Sequence, residues 1–379
     1  MNSPTLKIIE NIADIPAADW DTLAGSDPFI SHAYLHALQQ SGCATAQFGW
    51  QAQFITLWQD GMQGQDNHLL GAMPLYLKTN SYGEHVFDFA WADAYRQNGL
   101  RYYPKLVCMV PFTPVTGTRL LAESDETRVR LLDTALQLAK DTGVSSLHCL
   151  FLNEVDAQLT QSTGMLLRQD VQFHWCNAGY NNFDDYLAAL SRDKRKRIKQ
   201  DRRHVQNAGI TVQCVTGDIA TREQWAFFAS CYMHTRATHH SPPALNEDFF
   251  LRIGAALSQN TLLVIASREG KMIASALCLY TDEVLYGRSW GAFEFHPGLH
   301  FEACYYQAIE FCIAHGIKTF EGGAGGEHKL ARGFLPVTTR SAHWLEHPRF
   351  AHAVKDYLQR ETDAIAEYVE ELNTHSPFK

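Results

Sequence analysis

The chain has 379 residues, of which 46% are hydrophobic and 12% aromatic, and a formal net charge of −9. It is too long for one ordinary core and too apolar for disorder, so two domains are expected; the acidic balance argues against a surface generally coated by nucleic acid but allows one local basic patch. The N-terminus lacks the apolar stretch of a secretory signal and no apolar run approaches the roughly 20 residues a bilayer requires, while nine dispersed Cys without CxxC spacing read as free thiols of a reducing cytoplasm rather than disulfides or a zinc site.

Leu69–Lys78 reads as a buried strand interrupted by Pro74, which suits an edge or a bulge. Residues 128–142 carry Val129, Leu132, Leu136 and Ala139 at helical spacing and end at Gly143. Ser146–Leu152 is the next strand. In the second half, Leu262–Ala266 and Ile273–Tyr280 form a hairpin around Glu269-Gly270-Lys271. Val284–Trp290 is a third strand, Glu302–His315 a helix stopped by Gly316, and Ile317–Glu321 another strand. Strand, strand, long loop, helix and strand thus occur twice. FDFAWADAYRQNGLRYYPKL in the first half takes the place of YGRSWGAFEFHPGLHFEACYY in the second. The seam is expected near Arg168–Phe183, followed by a helical stretch, and Arg349–Leu372 is a charged amphipathic helix packed on the second domain.

PFISHAYLHALQQSG, GAMPLYLKTNSYGEHVFDFAWADAY, YYPKLVCMVPFTPVTGTRLL, FHWCNAGYNNFDDYL, LHFEACYYQAIEF and GAGGEHKLARGFLP together resemble the FemAB-like family of N-acyltransferases, from about Pro28 to about Glu361. That family belongs to the GNAT superfamily. The resemblance implies an α/β (α+β) chain of two tandem GNAT-like domains, each a mixed, mostly antiparallel sheet flanked by helices. They would span 1–170, a degenerate copy without the glycine-rich loop, and 171–379, with a basic helix over 191–208 and a C-terminal helix over 349–372. It also implies a bacterial, cytoplasmic enzyme moving an acyl or aminoacyl group onto a small-molecule or peptide amine. Two stretches depart from the pattern. Acetyl-CoA-using relatives carry Arg/Gln-x-x-Gly-x-Gly/Ala before the helix; here Arg288-Ser289-Trp290-Gly291-Ala292-Phe293 puts Phe293 where a small residue belongs, and the loop contains Pro297. No tightly bound cofactor is expected, and the donor is aminoacyl-tRNA, as in the Fem branch, or acyl-CoA. Ser241-Pro242-Pro243-Ala244 is the second departure.

Several groups of residues suit that chemistry. His300 and Glu302 flank Phe301 at a helix start, and either could take the proton of an acylated amine; Glu302 could equally favour its own helix dipole. Gly322, Gly323, Gly325 and Gly326, followed by Glu327, His328, Lys329 and Arg332, form a loop whose amides and cations could hold an anion or oxyanion. Arg288 and Trp290 share a strand face at period two and join the substrate-binding set. Ser191–His204 holds eight Lys/Arg against two Asp, with Ser191 as N-cap; Arg195, Arg197 and Arg202 are the candidate anion binders, for tRNA, a nucleotide diphosphate or a membrane surface. His234, His239 and His240 near Cys231 lack metal-site spacing. Rival readings are a non-catalytic GNAT-fold protein binding an anionic cell-wall precursor or lipid, and an RNA-binding protein using the basic helix.

Overall fold

The computed structural model describes residues 4–59, 67–239 and 244–379. Internal contacts divide the chain into two units, Met1–Asp170 with Thr338–Ala366, and Val171–Val337 with Glu367–Lys379. The boundary at Asp170 falls inside the expected seam. Thr338–Ala366, however, belongs with the first unit, not the second, because its strand and helix pack into the first core.

In the first unit, β1 (Thr5–Ile9), α1 (Ala17–Ala24) and α2 (His32–Gln40) precede β2 (Trp50–Ala52), β3 (Phe54–Gln59), β4 (His68–Met73) and β5 (Leu75–Lys78). The expected strand over Leu69–Lys78 is therefore two strands. Pro74 has no N–H to donate, and the chain changes sheets there: β4 pairs with β3, whereas β5 pairs with β2. Next come α3 (Phe89–Gln97), β6 (Lys105–Cys108), β7 (Leu121–Ala122), α4 (Asp125–Thr142), β8 (Ser146–Cys149) and α5 (Glu154–Ser162). Ser124 caps α4 by accepting from the Thr127 amide, and Gly143, in the left-handed region, ends it. Leu131, Leu132, Ala135 and Ala139 of α4 are fully buried. Leu106, Val107 and Cys108 of β6 run parallel to Leu147, His148 and Cys149 of β8, with α4 as the crossover.

The second unit starts within β9 (Leu166–Cys176) and continues through α6 (Phe183–Ala189), α7 (Arg192–Asn207), β10 (Ile210–Thr216), α8 (Arg222–Thr238) and α9 (Glu247–Ala256). β11 (Thr261–Arg268) and β12 (Lys271–Tyr280) make the expected hairpin. Its turn takes positive φ at both Glu269 (51°) and Gly270 (77°), the twist that matches flanking antiparallel strands. β13 (Val284–Ala292) leads to α10 (Leu299–Phe301), a π-helical turn over Glu302–Tyr306, α11 (Gln307–His315) and β14 (Thr319–Glu321). The strand order is β10-β11-β12-β13-β14-β9. β13 and β14 are the parallel pair, joined by the π-turn helix, as β6 and β8 are joined by α4. This is the duplicated arrangement, but its register differs from the sequence comparison. The equivalent of β13 is β6, so FDFAWADAYRQNGLRYYPKL is mostly α3 and loop lying before that strand.

The chain closes with β15 (Leu335–Leu345) and α12 (Pro348–Thr374). In the first unit Ala342–Leu345 pairs antiparallel with β8, and Val354 and Leu358 pack with Trp91 and Tyr102. Leu372, beyond the boundary, joins the second unit's core with Trp175, Tyr186 and Phe320.

Gly291 of β13 fixes how closely α8 can approach the sheet. A Cβ there would lie 2.0 Å from the Cys231 carbonyl oxygen. Backbone cannot swing aside as a side chain can, so Gly291→Ala is expected to lower stability by about 1–3 kcal/mol in urea titration.

Candidate functional site

β13 and β14 pair only at Val284↔Thr319, Leu285↔Phe320 and Tyr286↔Glu321. Beyond that point both strands depart from regular geometry. On β13, Leu277 of β12 opposes Ser289 while Cys278 opposes Gly287, so Arg288 is an inserted bulge residue. On the other side β14 gives way to the glycine loop, where Gly323, Gly325 and Gly326 have φ of 79°, 68° and 96°. The two strands therefore part, and the opening between them is bordered by the loop and by the helix that follows β13. The bulge also corrects the period-two reading. Gly287 and Trp290 pair with Cys278 and Ala276, both in one core cluster, so they share a face across an odd spacing and Arg288 is not in step with Trp290.

Lys329 is 2% exposed and donates to the Gly323 carbonyl at 2.6 Å, closing the loop on itself. Burial pulls its ammonium down to about 8. Arg332, also buried, is fully engaged. Its Nε donates to the Tyr306 hydroxyl (3.0 Å), Nη1 to the His328 carbonyl (3.0 Å) and Nη2 to Asp201 (3.1 Å), and the guanidinium lies 3.3 Å from the Phe301 ring centre. It is thus a structural clamp between α7, the π-turn and the glycine loop, not a cation held open for a phosphate.

The His328 ring sits 3.2 Å from the Tyr305 hydroxyl. His300 lies in an aromatic box, with ring centres of Trp290 at 5.4 Å, Tyr305 at 5.6 Å and His328 at 6.3 Å. Burial, followed by the positive surroundings of His328, Arg332 and Lys329, lowers His300 to about 4. Burial lowers His328 as well. Both imidazoles are therefore in the uncharged, proton-accepting form at neutral pH. Burial raises the Tyr305 hydroxyl, which stays protonated. Glu327 is exposed and accepts from Tyr368 at 2.7 Å.

Glu302 has different surroundings from those expected of an open base. It is 4% exposed, and its Oε1 accepts from Gln307 (2.7 Å) and Arg202 (3.1 Å), while Oε2 has no partner. Burial raises its carboxyl, against the opposing pull of Arg202 and Gln307. Arg202 also makes two bonds to Glu310, at 2.8 and 3.0 Å, and lies over the Phe183 ring at 4.7 Å. Glu302, Arg202, Gln307 and Glu310 are a tie between α7 and the π-turn helix. Arg202 reaches the edge of the α7 groove, but its guanidinium is paired with both carboxylates and is not a free anion binder.

The rest of α7 behaves differently. Ile198 and Val205 face the core. Arg192, Arg195, Lys196, Lys199 and Arg203, at helical spacing, border an open groove of about 720 Å³ beside Phe183 and Asp184. Arg197 is exposed outside that groove. Ser191 accepts no capping bond.

Asp201, Tyr305, Tyr306 and Gln307 are the participants sequence reasoning missed. Tyr305, Tyr306 and Gln307 lie in the expected helix Glu302–His315 without any local mark of a role, whereas Asp201 is one of the two acids in the basic run. Among the described residues, no three His, Cys, Asp or Glu side chains converge to hold a metal ion, and no helix is long and apolar enough to cross a membrane. His240 and Ser241-Pro242-Pro243 lie outside the described residues.

The chain matches the FemAB-like family, described as peptidoglycan biosynthesis/recognition, over residues 11–379 and belongs to that family. No curated protein matches it by sequence. In fold it is similar to FemX, at 13% identity and a TM-score of 0.55, covering 90% of this chain and 98% of that one. It is also similar to the C-terminal domain of a protein assigned as lysylphosphatidylglycerol synthetase from Agrobacterium fabrum, at 9% identity and TM-score 0.52, covering 92% and 97%. A conserved protein of unknown function from Bacteroides thetaiotaomicron aligns at 11% identity and TM-score 0.51, covering 90% and 100%. These likenesses establish the fold alone, a mixed α/β architecture shared along nearly the whole of each chain.

Proposed function

We propose that this FemAB-like protein transfers an acyl or aminoacyl group onto an amine, with the second unit carrying the chemistry. The observation that carries this reading is the parting of β13 and β14 beside two uncharged imidazoles and a buried lysine. An acyl carbonyl lying in the opening would meet backbone amides freed from strand pairing, which can hold the oxyanion formed on attack. The amine nitrogen bonds to the carbonyl carbon, the leaving oxygen or sulfur departs, and the amine proton passes to an imidazole. His328 is the better acceptor of the two, since a base as weak as His300 gives little driving force near neutral pH. Lys329 supplies positive charge to the loop. Glu302 and Arg202 position the helix.

The start of α10 bears on the donor. A Cβ on Gly298, just before α10, would lie 2.6 Å from the Asp201 carbonyl oxygen, so α7 already covers that helix end. That close approach leaves little room for a CoA pyrophosphate on this side of the helix start, which supports an aminoacyl ester as donor over a thioester of CoA. Besides the paired Arg202, five cations border the α7 groove and suit the phosphates of a tRNA carrying that ester.

The reading is tested by incubating the protein with mixed aminoacyl-tRNA, or with a panel of acyl-CoA thioesters, and a panel of amines, and searching for amide products by mass spectrometry. Product from neither donor class would overturn it. The groove is tested separately. In the Arg195→Gln, Lys199→Gln, Arg203→Gln triple variant, the plot of log affinity for tRNA against log salt should flatten by about 2–3, since each lost phosphate contact removes about 0.7–0.9. An unchanged slope would return this face of α7 to a solvated surface, leaving a non-catalytic anion binder without support.

A further inference from the structure

A second cavity, of about 350 Å³, adjoins the site from the α8 side. Thr235 and Thr238 of α8 form one wall, and Trp290, Phe293, Phe295 and His300 border the other. It shares Trp290 and His300 with the aromatic box described above, so whatever fills it lies next to the reacting centre. Its position is fixed from below, because Gly291 packs directly on the α8 backbone.

His234, His239 and His296 also border it, but no lysine or arginine is among the lining side chains. Glu294 is the acid at its edge, and His296 at 2.8 Å and Arg268 at 3.6 Å already neutralise it. His300 stays uncharged at neutral pH. An ammonium entering here would meet only the already paired Glu294, and a carboxylate would meet no lysine or arginine. Aromatic surface, in contrast, is offered openly. Phe295 is 91% exposed and Phe293 49%, while the Phe293 ring is held 4.8 Å from His234 and 5.9 Å from Phe227. The volume lies near the lower end of small-molecule sites, roughly 300–1,000 Å³, enough for one ring or a short branched chain.

We infer that this cavity is a selectivity pocket for an uncharged aromatic or branched aliphatic side chain, belonging either to the aminoacyl group transferred or to the amine that receives it. The inference rests on the acyl-transfer reading for what the side chain is attached to, though not for what the pocket binds.

Isothermal titration calorimetry on the full chain with N-acetyl-L-phenylalaninamide, N-acetyl-L-lysinamide and N-acetyl-L-glutamic acid α-amide tests the preference directly. The phenylalanine probe should bind at least about tenfold more tightly than either charged probe. Thr238 is exposed at the end of α8, so Thr238→Trp should block the mouth without unfolding the protein, weakening that probe by at least about tenfold. Phe295→Ala should weaken it by about threefold to tenfold, and a thermal melt checks both variants. Equal affinity for all three probes, or phenylalanine-probe binding untouched by Thr238→Trp, overturns the pocket. Varying the donor side chain at fixed acceptor, then the acceptor at fixed donor, assigns the source: Thr238→Trp should raise the KM of one series alone. Selective probe binding without any transfer would sink acyl transfer and leave the pocket standing. Transfer without selective probe binding would do the reverse.

Discussion

Lys105→Met is expected to destabilise the first unit by about 3–5 kcal/mol, the usual consequence of removing one partner from a buried ion pair. Lys105 opens β6 with its side chain wholly buried. Its ammonium donates to Glu84 at 2.7 Å, to the Ser81 hydroxyl at 2.9 Å and to Asp88. Tyr102 donates to the same Asp88 carboxylate at 2.6 Å and approaches His148 at 3.1 Å, and His148 meets His343 at 2.7 Å. Burial alone would lower a lysine, but the two carboxylates hold Lys105 above its ordinary value. Burial outweighs Lys105 at Glu84, which is pushed up to about 7. At Asp88 burial is overcome by Lys105 and His148, which bring it down to about 2. With the cation gone, both acids must be protonated to remain buried. The unfolded chain would ionise them freely, so the deficit of Lys105→Met should grow with rising pH and be larger at pH 8 than at pH 5. Adding Glu84→Gln should recover part of it at pH 8. Urea titrations at the two pH values give the comparison; an equal deficit at both would mean that lost packing, not stranded charge, is responsible.

None of that network could be read from the sequence. Glu84, Asp88, Lys105, His148 and His343 are up to 259 positions apart in the 379-residue chain, and nothing in their local patterns distinguishes them from solvated residues. Local chemistry was legible: the Glu269-Gly270 hairpin, the stop of α4 at Gly143, the glycine loop and the basic run of α7 are each set by neighbouring residues. What a side chain does in the candidate site depended on pairing across elements. Counting charges in α7 made Arg202 look like Arg195, whereas both border the groove and Glu302 and Glu310 take the guanidinium of the first. Period two put Arg288 beside Trp290 because a bulge is invisible until the opposing strand is known. The same holds for Thr338–Ala366, whose return to the first unit is a matter of which strand edge is unfilled, not of local sequence. The duplication itself was visible as an order of elements, though α3 was aligned with a strand because both segments are rich in aromatics.

If acyl transfer is the activity, Lys329→Met should cut turnover by roughly 10²–10³ and His328→Ala by roughly 10²–10⁴, while Glu302→Gln should leave turnover within about threefold. Glu302→Gln should instead lower stability by about 1–3 kcal/mol, because Arg202 keeps Glu310 but the buried end of the tie loses its charge-assisted bonds. Lys329 adds a pH signature. Its ammonium is drawn from 10.5 to about 8 by burial, so the folded protein loses that proton earlier than the unfolded chain. Stability contributed by this group therefore rises between about pH 8 and pH 10.5, as a buried charge is discharged. Activity that needs the cation runs the other way and should decline through an apparent pKa near 8. Lys329→Arg keeps the charge throughout that range, so whatever rate it retains should persist to higher pH. The measurement is a set of pH–rate profiles with thermal melts on the same variants. A Glu302→Gln protein that melts normally but has lost more than about a hundredfold in turnover would make Glu302 the proton acceptor after all. Lys329→Arg with an unmoved alkaline limb would assign that limb to another group in the site.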